Sequence, residues 1–174
     1  YYKNPTKDKQ EKILYHYQRA VDITDRSMTA MLDLGKAYME FEQVENGKKV
    51  FEQAIKSHEG LAAPLMMMGQ YYNSQEQYLE SLEAYEKAEE IAKLPSIFYW
   101  KAVCYMKFND MDKAISTIEE GEKYTPTEPG YYILMSDLYR LNKEDAKAIK
   151  ALKKGKALFP ENQEIQAKMK ELNS

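Results

Sequence analysis

The sequence predicts an all-α protein, an α-solenoid in which antiparallel helix pairs stack on copies of themselves. Three observations predict it. First, a small residue stands three places before a tyrosine four times, at Gly35 and Tyr38, Gly69 and Tyr72, Ala102 and Tyr105, and Ser136 and Tyr139; the tyrosines follow one another at steps of 34, 33 and 34 residues. A fixed period of this length marks one supersecondary unit repeated along the chain. Second, nine residues past each tyrosine comes another small residue (Gly47, Ser81, Ala114, Ala148). Four further on comes a large one (Phe51, Tyr85, Ile118, Leu152), and three beyond that a small one again (Ala54, Ala88, Gly121, Gly155). Spacings of three, four and seven fall on one helix face. Third, small and large residues recur in both halves of the unit, as two closely crossing helices require. The small ones let the backbones approach and the large ones fill the grooves between ridges.

Taken together, these columns resemble the tetratricopeptide repeat, whose consensus runs W-x2-L-G-x2-Y, then A-x3-F-x2-A, then P. Residues 28–61, 62–94, 95–128 and 129–162 each match it. The large residue that opens each unit is Met31, Leu65, Phe98 or Tyr132 rather than Trp, and Lys101 interrupts a column otherwise held by Leu34, Met68 and Met135. Pro126 and Pro160 stand at the helix-ending proline of the family; Glu59 and Lys93 replace it in the two earlier units. The resemblance implies a right-handed superhelix, with first helices lining a concave groove and second helices facing outward.

Upstream, Ile13, Tyr17 and Ala20 each stand 34 residues before Gly47, Phe51 and Ala54. Residues 1–27 are therefore expected to hold a partial repeat with its second helix at 8–25. Its first helix would come from residues before Tyr1, so the chain reads as a fragment or processed product of a longer protein, with Tyr1 and Tyr2 as the last turn of that helix. Downstream, Ile165, Met169 and Leu172 form a one-sided apolar stripe, which predicts an amphipathic helix over 163–174. Repeat arrays need a terminal helix with a polar outer face, and capping is its expected role; docking a partner is the alternative.

Composition narrows the function classes. Charged residues make up 30% and hydrophobic ones 44%, a balance that folds rather than stays disordered. No apolar run approaches the ~18–20 residues of a membrane span. The net charge of −3 argues against nucleic acid, whose binders carry a basic stripe. Six lysines lie between positions 143 and 156, and six glutamates between 76 and 90; Lys147, Lys150, Lys153 and Lys154 fall between packing columns and are expected on solvent. The opposite signs of these segments also permit contact between copies. One cysteine, Cys104, says nothing of compartment, and cytoplasm and periplasm are not distinguished.

Catalytic chemistry finds no foothold. Five of the seven glycines (Gly35, Gly47, Gly69, Gly121, Gly155) occupy packing columns and Gly60 and Gly130 fall at joints, leaving none for a phosphate-cradling loop. His16 and His58 have no partner at metal-ligand spacing. Cys104 precedes Tyr105 on a first helix and reads as a packing residue, with no base implied beside it. No catalytic residue, metal or cofactor is expected, and the chain is read as not an enzyme.

What the resemblance implies about ligands follows from the first helices. Residues one, two and five past the opening residue point into the groove: Leu32, Asp33 and Lys36; Met66, Met67 and Gln70; Tyr99, Trp100 and Val103, with Met106 a turn on; Ile133, Leu134 and Asp137. Relatives that clamp a C-terminal carboxylate need Lys and Asn on one first helix, Asn on the next and Lys and Arg on a third. Leu32 and Lys36, Met67, and Ser96 and Trp100 stand there instead, so a chaperone-tail clamp is rejected. An apolar groove suits a hydrophobic peptide or amphipathic helix laid along Met66, Met67, Tyr99, Trp100 and Met106; these side chains could instead pack between first helices. Tyr72 and Tyr105 are expected in the core. The leading reading is an interaction scaffold that binds a protein or peptide. Two others stay open: a chaperone for a secreted or membrane client, similar in acidity to the small tetratricopeptide chaperones of secretion systems but with about four and a half units where those carry about three, and an accessory region of an enzyme complex.

Overall fold

The structure, a computed structural model, describes residues 6–58 and 60–172. Tyr1, Tyr2 and Glu59, on which expectations were placed above, lie outside the described residues. Among the described residues there are ten helices, α1 (Lys7–Ile23), α2 (Met28–Glu40), α3 (Val44–Ser57), α4 (Ala63–Ser74), α5 (Tyr78–Ile91), α6 (Pro95–Lys107), α7 (Met111–Glu122), α8 (Pro129–Leu141), α9 (Asp145–Leu158) and α10 (Gln163–Leu172), and no strand. They fall into two compact units, Tyr1–Ala92 and Lys93–Ser174.

In the first unit α2 pairs with α3 and α4 with α5; α3 touches α4, α2 touches α4, and α1 lies on α2. In the second α6 pairs with α7 and α8 with α9; α7 touches α8, α6 touches α8, and α10 packs on α9 and α8. The helices start where local chemistry favours a start. Pro64, Pro95 and Pro129 sit in the first turns of α4, α6 and α8, where a missing N–H loses nothing. Ser27 and Asp110 cap α2 and α7, accepting hydrogen bonds from the amides of Ala30 at 3.3 Å and Lys113 at 3.2 Å.

Each pair turns the same way. The amide three residues past the first helix's end donates back to the carbonyl of the signature tyrosine: Gln43 to Tyr38 (2.8 Å), Gln77 to Tyr72 (2.9 Å), Asp110 to Tyr105 (2.9 Å) and Glu144 to Tyr139 (2.8 Å). The residue just before that donor adopts a left-handed conformation, with φ of 60° at Glu42 and Glu76, 59° at Asn109 and 60° at Lys143. This is a Schellman closure, and its backbone repeats at the period of the tyrosines although no glycine marks it.

Small and large columns interlock as the spacing predicts. A Cβ placed on Gly69 would stand 2.7 Å from Cζ of Tyr85, and one on Gly35 would run into the ring of Phe51. Phe51, Tyr85, Ile118 and Leu152 are all buried. Where the small partner is glycine the large one is aromatic; where it is Ala102 or Ser136 the large one is aliphatic. Size is thus matched within each pair, as dense packing demands. In α4 and α5 the contact is close enough for Ser81 Oγ to donate to the Gly69 carbonyl at 2.8 Å. On α1 the same face stays open: Ile13 and Tyr17 are 37% and 38% exposed, and only Leu14 and Val21 are buried, in the cluster with Met31, Leu34 and Ala37 of α2.

Candidate functional site

In the first unit the predicted site residues sit on α2 and α4. Leu32 is half-buried, and Lys36 is exposed, 3.9 Å from Asp33 on the same helix. Met66, Met67 and Gln70 are half-buried on α4. A cleft of about 420 Å³ brings Lys36, Met67 and Gln70 together with Met39 and Tyr71.

In the second unit they sit on α6 and α8. Tyr99, Trp100, Val103 and Met106 are half-buried, and Tyr99, Val103 and Met106 rest on the core cluster of α8. Tyr99 and Trp100 line a mostly apolar cleft of about 530 Å³, closed by Pro126 and Glu128 of the α7–α8 connection and by Pro129 and Tyr131 of α8. Their rings stand perpendicular, 5.2 Å between centroids at 87°, and Tyr131 lies 6.5 Å from Tyr99. Tyr131 is fixed by donating its hydroxyl to the Ile118 carbonyl at 2.5 Å. Burial, aided by the charges of Glu164 and Asp137, pushes the Tyr99 hydroxyl above its ordinary pKa.

Two predicted lining residues are core. Ile133 and Leu134 are each 8% exposed. Ile133 packs with Leu152 and Ile165, because α10 lies over α8, and Leu134 joins the cluster of α6, α7 and α8. Asp137 accepts from Lys168 Nζ at 2.6 and 2.9 Å, and Arg140 pairs with Glu171 at 3.0 Å, so α10 is tied across this helix by two charge pairs. Tyr72 and Tyr105 are half-buried rather than core. Each ring carries a lysine on its outer side, Lys48 at 5.4 Å and Lys113 at 5.6 Å, as Lys147 does on Tyr139 at 5.3 Å.

The candidate reactive groups resolve simply. Cys104 is fully buried on α6. His16 is exposed beside Tyr15, and His58 ends α3, its amide donating to the Ala54 carbonyl. Among the described residues no group of three or more His, Cys, Asp or Glu could hold a metal ion, and no helix is long and apolar enough to cross a membrane. Lys147, Lys150, Lys153 and Lys154 are exposed, and Lys154 reaches Glu122 at 2.7 Å. Sequence reasoning missed Pro126, Glu128 and Tyr131. They come from a connection and a neighbouring helix, and no repeat column marks them as lining.

This is the architecture of a repeat protein that presents surface. The chain belongs to the tetratricopeptide repeat family: family models described as tetratricopeptide repeat match residues 29–60, 62–93 and 95–128, more than half of its length. Its fold is an all-α solenoid of helix pairs, and proteins of this class are as a rule protein-interaction scaffolds rather than enzymes. Similar solved structures include MamA, 18% identical with a TM-score of 0.68 over 94% of each chain. YrrB, described as a TPR protein with an unusual peptide-binding site, is 20% identical with a TM-score of 0.65 over 94% of this chain and 84% of its own. The first TPR of Spaghetti (RPAP3), bound to the HSP90 peptide SRMEEVD, is 18% identical with a TM-score of 0.60 over 64% of this chain and 92% of its own. No curated protein sequence matches the chain.

Proposed function

We propose that this interaction scaffold binds a peptide or helix of a partner protein through apolar side chains on its first helices, and carries out no chemistry of its own. In the first unit the surface is Met66, Met67 and Gln70 with Leu32 and Lys36; in the second it is Tyr99, Trp100, Val103 and Met106. The observation that carries the reading is the apolar cleft where Tyr99 and Trp100 stand half-buried. Tryptophan and tyrosine in such positions anchor partners, and methionine adapts to their shape. Peptide binding by YrrB and by the Spaghetti TPR supports the reading by analogy. Ile133 and Leu134 serve packing instead, and Asp137 is held by Lys168.

The test is selection of peptides from a random display library against the intact chain. Affinities are then measured for the wild type and for Trp100→Ala and Met67→Glu, with circular dichroism confirming that both variants fold. The proposal expects selected peptides to lose about tenfold or more in affinity to at least one variant, as for an interface anchor. Peptides that bind both variants as tightly as the wild type would place the binding surface elsewhere.

A further inference from the structure

We propose that the cleft at the start of α6 takes a lysine or arginine side chain of the partner peptide, its stem lying on prolines and aromatic rings and its charge meeting Glu128. This rests on the reading of α6 as a partner-binding surface, and it names what that surface selects.

The lining has a definite charge. Tyr99, Trp100, Tyr131, Pro126 and Pro129 line the cleft together with one acidic residue, the exposed Glu128, and no lysine, arginine or histidine lines it among the described residues. Several other carboxylates of this unit are engaged: Glu119 accepts from the Tyr139 hydroxyl, Glu122 pairs with Lys154, Asp137 with Lys168 and Glu171 with Arg140. Glu128 precedes α8 but its side chain caps nothing, and among the described residues it has no ion pair. Glu128 is exposed at the helix N-terminus, where its charge is tolerated, and a cation in the cleft would give it a partner.

The rings favour the same sign of ligand. Aromatic faces attract cations through their quadrupole, tryptophan most strongly, and Tyr99 and Trp100 stand half-buried and perpendicular to each other at the cleft. The unit already seats cations this way, with Lys113 over Tyr105 and Lys147 over Tyr139. Glu164 adds negative charge near Tyr99, while Asp137 is offset by Lys168. A long basic side chain meets all of these at once, because its methylenes cover apolar surface while its head stays polar.

Trp100 is the only tryptophan, so its emission reports on this cleft directly. The intact chain is titrated at fixed salt with a heptapeptide of leucine and proline around a central lysine, and with the same peptide carrying norleucine there. The proposal expects a saturable change in Trp100 emission with the lysine peptide. It expects binding at least about threefold weaker with the norleucine peptide, the scale of an exposed cation–π contact, and loss of that difference in Glu128→Gln. Equal affinity for the two peptides, or a preference that survives Glu128→Gln, overturns the proposal while leaving an apolar binding surface intact. No saturable response to either peptide also overturns it; the library selection then decides separately whether α6 binds peptides at all.

Discussion

Replacing Gly69 by alanine probes the size matching that holds each helix pair together. The new Cβ would stand 2.7, 2.8 and 2.9 Å from three ring atoms of the fully buried Tyr85, well inside van der Waals contact, so the ring or the helix must shift. Over-packing of this kind costs about 1–3 kcal/mol, offset by ~1 kcal/mol of helix propensity gained from Gly to Ala. Gly69→Ala should therefore destabilise by about 0–2 kcal/mol, and Gly69→Leu by more. Tyr85→Ile alone leaves a void and should cost on the order of 2–4 kcal/mol. The double variant recreates the alanine–isoleucine pairing found at Ala102 and Ile118. It should be more stable than the sum of the single effects predicts, by a coupling of about 1–2 kcal/mol, within the range seen for touching residues. Urea denaturation of the four proteins, followed by circular dichroism, completes the cycle. Lys150→Leu, on an exposed position of α9, serves as a mild control. Additivity within about 0.5 kcal/mol would refute the idea that these two columns are matched by size.

Further predictions follow from the turns and the tyrosines. Glu76→Gly and Lys143→Gly should each stabilise the chain by about 0.5–1 kcal/mol in urea melts, because a left-handed non-glycine residue costs ~1–2 kcal/mol and glycine gives part of that back as unfolded-state entropy. Asn109→Gly should be nearly neutral, since asparagine tolerates that conformation; three equal effects would contradict the assignment. Tyr131 and Tyr139 have hydroxyls held well above the ordinary tyrosine pKa, chiefly by burial, then by Glu122 for Tyr131 and by the hydrogen bond to Glu119 for Tyr139. Their contribution to stability is complete below the unfolded-state pKa of about 10 and is lost as pH rises above it toward the folded-state values. Melts between pH 8 and 11.5 should show a decline that begins near pH 10 and is shallower in Tyr139→Phe; an unchanged slope in that variant would remove Tyr139 from the account.

The packing of the fold was legible because it repeats. Gly69 facing Tyr85 and the closing tyrosine at Tyr38, Tyr72, Tyr105 and Tyr139 announce themselves by period, and all four tyrosine carbonyls close the same turn, although Tyr72 and Tyr105 are half-buried where the core was expected. The turns between paired helices were not legible: Glu42, Glu76, Asn109 and Lys143 share one backbone conformation but no side-chain type, so no column records them. The candidate site was half legible. Tyr99 and Trp100 were found from their register on α6, whereas Glu128 and Pro126 reach the same cleft from a connection whose course no helical period encodes. Ile133 shows the opposite failure. Its register is that of a lining residue, but α10 folds over it, and a residue's register alone does not reveal what later segment will cover it.

Acrylamide quenching of Trp100 in the folded, ligand-free chain tests the binding-surface account most directly. The half-buried ring at the cleft should be quenched appreciably, though less than in urea, and a peptide that fills the cleft should protect it. A folded chain whose Trp100 acrylamide cannot reach would place the ring in the core and take the proposed binding surface away from α6.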